Sequence, residues 1–321
     1  MTRRDAHTAG ESHLPLGAGA EFDAIRRMLR EWGSRASGIG DDAAVLDVPS
    51  GEKLVVSTDA SVEGVHFRRE WFSAQEIGAR AATAALSDLA AMAAEPIGLL
   101  LALGIPQGWD EAIAELARGV GASAEQASCP IVGGNVTRSG ELSLTITVLG
   151  SAARTLRRRG AAAGDSVYVS GSLGGPGAAL RALRDGRVAE PGHMQRFASP
   201  RARIQEARWL ADAGATAAID ISDGLGADAA HLGRASGVTV ELDAALIPCL
   251  DGVRPADALV SGEEYEILVT FAATAAPDVQ QFAARFGVPL TRIGEVREQD
   301  SEPVRVLGAR VDPARGHDHL S

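Results

Sequence analysis

Two rhythms of hydrophobic and polar positions alternate along this chain. The segment EFDAIRRMLREWG places Phe22, Ile25 and Leu29 on one face at helical spacing, and Gly33 closes it. GEKLVVSTDAS reads as a strand that ends in Ser57, Thr58 and Asp59. SAQEIGARAATAALSDLAAMAAEP predicts a long Ala-rich helix stopped before Pro96, with the strand IGLLLALGI after it. DEAIAELARGVGASAEQAS predicts a further helix. An apolar run then leads into Gly133, Gly134 and Asn135, and ELSLTITVLG leaves as an alternating strand.

The polar, Arg- and Gly-bearing stretch RTLRRRGAAAGD interrupts the pattern, and a second series follows it. SVYVSG is a strand feeding a glycine-rich turn and the helix GAALRALRDG. RARIQEARWLADAG, AAIDISDGLGADAAHLGRASG, the strand EYEILVTF, the helix PDVQQFAARFG and the strand TRIGEV complete it. Val279, Phe282, Ala283 and Phe286 form one stripe of ordinary core spacing. The expectation is a mixed α/β fold in two domains, residues 20–150 and 151–321, behind a loose tail over residues 1–19.

Composition narrows the partners. A net charge of −11 argues against nucleic acid or an anionic membrane as the main partner, because phosphate backbones reward basic patches. A phosphorylated small ligand stays open if cations bridge it to the protein. The N-terminus has no apolar signal core, and PIGLLLALGIP is too short to cross a bilayer, so the cytoplasm is the expected compartment. Cys129 and Cys249 form no zinc or CxxC spacing and read as buried hydrophobes in a reducing environment. Lys53 is the only lysine, which excludes a Walker-type phosphate loop and disfavours lysine-based catalysis.

The informative residues are acidic. GIGDDAAVL places Asp41 and Asp42 after glycines, STDASVEGVHF carries Asp59 and His66, and AALSDLAAM sets Asp88 inside an apolar helix. AIDISDGL puts Asp220 and Asp223 around Ser222 at a strand-to-helix turn, and SGEEYEILV starts a strand with Glu263 and Glu264. Singly, each has an ordinary explanation: a turn for Asp41–Asp42, an N-cap for Asp223, a structural role for His66. Asp88 fits such a reading least, being a poor helix former among apolar neighbours. Two carboxylates about 4 Å apart repel by roughly 4 kcal/mol at an effective dielectric near 20, so a converging set needs protons or hard cations. A carboxylate cluster without His or Cys fits a Mg²⁺–nucleotide site, where phosphoryl transfer rests on positioning and charge neutralisation. GIGDDA fails as a Rossmann fingerprint, since no clear strand precedes it and its acids repel a pyrophosphate. SGSLGGPGAAL is a strand–glycine–helix turn and a weak phosphate-loop candidate, which reads more readily as a tight turn for close helix packing.

Taken in order, GIGDDAAVL, STDASVEGVHF, LSDLAAMAAEP, GGNVTRS, AIDISDGL and GEEYEI resemble the motifs of the thiamine-monophosphate kinase family, over nearly the whole chain. That family shares a two-domain fold with aminoimidazole-ribonucleotide synthetase, selenophosphate synthetase and the hydrogenase-maturation dehydratase. The resemblance implies ATP- and Mg²⁺-dependent phosphorylation of thiamine monophosphate to thiamine diphosphate. It also implies a homodimer with paired N-terminal domains and the nucleotide near their interface. Position by position, it implies metal ligation by Asp42, Ser57, Thr58, Asp59, Asp88, Asn135, Asp220 and Asp223. It implies ATP contacts from Gly134, Arg158 and Ser222, and substrate contacts from His66, Glu263 and, in the C-terminal GHDHL, His317. Asn135 and Glu264 stand where the family carries aspartate, Ala85 where it carries asparagine, and Ala94 at the glycine of AAMGA. Two other classes remain open at this point: an ATP-using enzyme with a different acceptor, and a non-catalytic nucleotide-binding homologue.

Overall fold

A computed structural model describes residues 16, 18–40 and 42–309 of the chain. They fall into two compact units. The first runs to Leu89 and resumes over Glu95–Ala153; the second takes Ala90–Ala94 together with the chain from Arg154 onward. The short excursion is explained by Leu156, whose N–H donates to the Met92 carbonyl at 3.1 Å. Within it Ala93 has φ 54, so the left-handed position that glycine favours is residue 93 and not Ala94.

The first unit contains α1 (Ala20–Trp32), β1 (Lys53–Val62), α2 (Ala74–Ala91), β2 (Glu95–Ile105), α3 (Ile113–Gln126), β3 (Ile131–Arg138) and β4 (Ser143–Ala152). Its sheet has the order β1-β4-β2-β3, with β4 antiparallel to both neighbours and β3 parallel to β2. One face is buried: Leu99, Leu101 and Leu103 of β2 and Leu144, Ile146 and Val148 of β4 are enclosed, as are Leu86 and Leu89 of α2 and Leu116 and Val120 of α3. Helix α2 starts from a reciprocal cap in which Ser73 N–H donates to Glu76 Oε2 at 2.8 Å and Glu76 N–H to Ser73 Oγ at 3.3 Å. The opposite face of the sheet is open, with Leu54 and Val56 52% and 55% exposed.

Three expectations change here. Helix α1 buries Ala24, Met28 and Trp32, while Phe22, Ile25 and Leu29 are half-buried at the margin. The Trp32 indole N–H donates to the Ala117 carbonyl at 2.9 Å and sets that rotation. Strand β1 does not end at Asp59; it stays paired with β4 as far as Val62 opposite Ser143. Gly133, Gly134 and Asn135 lie within strand β3, which the glycines had concealed.

The second unit contains β5 (Ser166–Ser170), α4 (Gly175–Arg184), α5 (Pro191–Ala198), α6 (Ile204–Asp212), β6 (Ala217–Asp220), α7 (Leu225–Ser236), β7 (Thr239–Asp243), α8 (Pro255–Ala258), β8 (Ile267–Phe271), α9 (Val279–Phe286), β9 (Leu290–Arg297) and β10 (Val304–Leu307). Six strands order as β10-β7-β9-β5-β8-β6, antiparallel except for β10 with β7. Val167, Ile219, Leu225, Leu232, Val240, Leu268 and Ile293 share its core. Strand β8 begins at Ile267, not at Glu263, because Glu263 and Tyr265 have φ of 58° and 52° and cannot extend the ladder.

Candidate functional site

In the first unit the acids and hydroxyls separate by strand parity. Ser57 and Asp59 are half-buried on β1, and Ser57 Oγ donates to Asp88 Oδ2, which puts both on the side of α2. Asp88 sits within a helix whose neighbours Ala85, Leu86 and Leu89 are wholly enclosed, so α2 presents it at the edge of the core. Thr58 points to the open face, with Oγ1 3.1 Å from the Thr147 hydroxyl of β4. Asp42 is exposed in the irregular chain before β1. His66 follows β1 and its Nδ1 accepts the Val62 N–H at 3.2 Å, leaving Nε2 to carry the ring proton of the neutral form.

Asn135 is across the sheet from these residues. In register it lies opposite Ala102, which faces Thr145, which faces Ala60, so its row is that of Ala60 on the open face. Gly134 occupies the next row, with Leu101, Ile146 and Asp59. Strands β1 and β3 are the two edges, three inter-strand spacings or about 14 Å apart along the sheet. Gly134 has φ 154, and a Cβ there would lie 1.9 Å from the Leu101 carbonyl oxygen, so only glycine brings β3 this close to β2.

In the second unit Asp220, buried at the end of β6, and Ser222 and Asp223, half-buried in the turn before α7, come together with a residue that sequence reasoning missed. Asp228, 2% exposed in the first turn of α7, accepts the N–H groups of Ser222, Asp223 and Gly224 on one oxygen, at 3.0, 3.1 and 3.2 Å. The N–H groups of Ser222, Asp223 and Gly224 in the turn before α7 are therefore engaged by the protein itself, and the Ser222 hydroxyl is the contact group left on that residue. Burial, followed by the charges of Asp220 and Asp223, pushes the Asp228 carboxyl up to about 8. Asp223, Asp228 and His231 each offer a ligand atom, all within 4.8 Å of one another. Burial and the nearby Arg158 and Arg234 lower the His231 pKa, which favours its neutral, lone-pair-bearing form. The signal for both residues was their spacing, five and eight after Asp223; the apolar stripe of α7 hid it.

Arg158 is exposed, and its carbonyl accepts the Ser236 hydroxyl at 2.9 Å, which fixes the connector against α7. Glu263 is half-buried, its N–H donating to the Ser222 carbonyl at 2.7 Å. Glu264 is enclosed, and burial pushes its carboxyl up to about 7. His317 lies outside the described residues, as do Asp41 and the rest of GHDHL.

These groups define a class: two α/β units, each carrying its own set of acids and hydroxyls, with no lysine among them. Consistently, the family models for the AIR synthase related protein match, the N-terminal domain over residues 40–152 and the C-terminal domain over residues 162–306. A thiamine-monophosphate kinase of Caulobacter vibrioides is 38% identical over 92% of this chain and 89% of its own length. The crystal structure of the thiamine-monophosphate kinase from Stenotrophomonas maltophilia superposes with a TM-score of 0.79 at 35% identity, covering 91% of this chain and 97% of that one. A structure of AaThiL complexed with AMPPCP and TMP gives 0.75 at 32% identity, covering 92% and 94%. The chain belongs to the thiamine-monophosphate kinase family.

Proposed function

We propose that this protein transfers the γ-phosphoryl group of ATP to thiamine monophosphate, giving thiamine diphosphate, as a Mg²⁺-dependent homodimer in the cytoplasm. The observation that carries the reading is the set of surviving acids, Asp42, Asp59, Asp88, Asp220 and Asp223, in a chain similar along its length to thiamine-monophosphate kinases. The relative solved with AMPPCP and TMP supports the pairing of a nucleotide with this acceptor.

The donor chemistry fits a hard dication: hydroxyl and carboxylate oxygens from Ser57, Asp59 and Asp88 in one unit, carboxylates of Asp220 and Asp223 in the other. Burial, and after it the charges of Asp220 and Asp223, hold the Asp228 carboxyl up to about 8, so three carboxyl groups share this turn. Bound there, Mg²⁺ supplies charge neutralisation and alignment for two phosphate anions. The protein's own groups do the rest. Arg158 offers a guanidinium fork to phosphate oxygens, and the Ser222 hydroxyl a further donor. For the acceptor, the first unit offers His66 Nε2 and the second the Glu263 carboxylate. The acceptor is a phosphate monoester already ionised at pH 7, so no strong general base is required.

The sheet order supports the dimer more directly than sequence did. Asn135 on β3 is too far from Asp59 on β1 for one chain to bring both to one cation. A pairing of two open sheet faces, which bear the exposed Leu54 and Val56, that laid β3 of one subunit over β1 of the other would bring Asn135 of the partner subunit to the Thr58 side of the β1 edge, with Asp59 of the same strand turned toward α2. On this reading each metal–nucleotide site is composite, with β1 from one subunit and Gly134–Asn135 from the other.

The test is ATP turnover with and without thiamine monophosphate at graded Mg²⁺. Turnover that requires thiamine monophosphate and yields thiamine diphosphate supports the reading. Mg²⁺–ATP binding with no turnover of any thiamine species contradicts it.

A further inference from the structure

Glu264 has a side chain with no measurable exposure, yet it sits beside a residue assigned to the acceptor. Its Oε1 accepts the Gly174 N–H at 2.5 Å and the Ser261 hydroxyl at 2.6 Å. Ser261 Oγ in turn accepts the Gly177 N–H at 2.9 Å. One carboxyl oxygen thus joins the glycine-rich turn at the start of α4 to the chain entering β8. The other oxygen, Oε2, is buried without a hydrogen-bond partner, and its nearest cation is Arg196 Nη2 at 3.6 Å.

The residues on either side are both left-handed and neither is glycine: Glu263 at φ 58 and Tyr265 at φ 52. Their N–H groups donate to the carbonyls of Ser222 at 2.7 Å and Ile221 at 2.9 Å, so this loop runs against the turn that carries Asp220 and Asp223. Backbone in such sparsely populated regions persists only where its surroundings over-determine it. The side chain between the two strained residues is the one that reaches inward. Glu266, two residues on, is the contrast: it is fully paired with Arg203 at 2.8 and 2.5 Å, Arg196 at 2.8 Å and the Ser170 hydroxyl at 2.5 Å.

We propose that Glu264 is a positioning residue of the acceptor site: through Oε1 it anchors the loop to Gly174 and Ser261, and so sets where the Glu263 carboxylate is presented. This rests on the reading of Glu263 as an acceptor contact. Glu264 touches neither substrate, so its loss weakens acceptor binding while leaving the nucleotide side and the chemical step in place. The anchor needs an acceptor oxygen at Oε1, not a charge. Glutamine therefore preserves it, and alanine removes it.

The experiment compares Glu264→Ala, Glu264→Gln and Glu263→Ala in steady-state kinetics with each substrate varied in turn. Glu264→Ala is expected to raise KM for thiamine monophosphate at least tenfold, with kcat and the KM for ATP within threefold of the parent. Glu264→Gln is expected to restore the KM to within threefold. Where Glu264→Ala does not fold, Glu264→Leu, which fills the same space without an acceptor, carries the same readouts. Equal damage from Gln and Ala overturns the proposal, as does a KM within twofold of the parent for the apolar variant. If Glu263→Ala raises that KM and Glu264→Ala does not, the positioning role fails alone. If Glu263→Ala leaves it unchanged, the acceptor assignment itself has failed and takes this inference with it.

Discussion

Ser57 on β1 donates its hydroxyl to Asp88 on α2, so the strand that carries Asp59 and the helix that carries Asp88 are joined by a polar contact at the edge of an apolar core. An asparagine at position 88 keeps an acceptor for Ser57 but loses the charge that a dication needs. Asp88→Asn and Asp59→Asn are each expected to lower kcat at least a hundredfold at ordinary Mg²⁺. The melting temperature of the metal-free protein should stay level or rise, because like-charge repulsion is relieved. Kinetics and differential scanning calorimetry on the same preparations check both halves.

Asn135 offers a carbonyl oxygen where the family resemblance implies a carboxylate, so it supplies one negative charge fewer. Asn135→Asp should tighten Mg²⁺ binding by about tenfold, on the order of 1–2 kcal/mol. The readout is the Mg²⁺ concentration giving half of the maximal thermal stabilisation in the presence of a non-hydrolysable nucleotide.

Gly134 tolerates no side chain. Gly134→Ala drives a Cβ into the Leu101 carbonyl oxygen and imposes an unfavourable φ, so β3 must move away from β2. A loss of roughly 3 kcal/mol or more is expected, read as a shift in the urea midpoint with an unchanged slope.

Glu264 makes stability depend on pH. Its carboxyl ionises near 4.5 in the unfolded chain and near 7 in the folded one, with burial as the main cause and Arg196, Ser261, Gly174 and Glu266 as the facing groups. Between those values the folded state holds a proton that the unfolded state has lost. The stabilising contribution is therefore complete below about pH 4.5, declines as pH rises to about 7 and is flat above. The span is on the order of 3 kcal/mol at most. Relative to Glu264→Gln, the parent should lose melting temperature from pH 5 to 7 and then run parallel; a constant difference across that range contradicts the assignment.

Much of this was legible in the residues, for reasons that differ by element. Helix α3 and the alternating strand β4 announced themselves because their burial follows their period, and α2 and α7 because Ala- and Leu-rich runs of their length, enclosed on most sides, read as buried helices. Strand β3 did not, because Gly134 serves a close approach to the β2 backbone and not a turn. The face of α1 was misread because the anchor is Trp32 at its last position, and its indole bond to Ala117 is a tertiary contact. The acids were found as motifs, but their grouping follows strand order, which no local pattern encodes. That is why the separation of Asn135 from Asp59, and the part played by Asp228, emerged only in three dimensions.

In the proposed composite site, β1 of one subunit works with β3 of the other. Asp59→Asn and Asn135→Arg chains, each inactive alone, are mixed, allowed to exchange subunits and assayed for thiamine diphosphate formation. In a composite arrangement half of the randomly exchanged dimers are mixed and one of the two sites in each is intact, so activity should return to about a quarter of the parent's. If each site is built within a single chain, every site carries a defect and mixing restores nothing; that result would contradict the account.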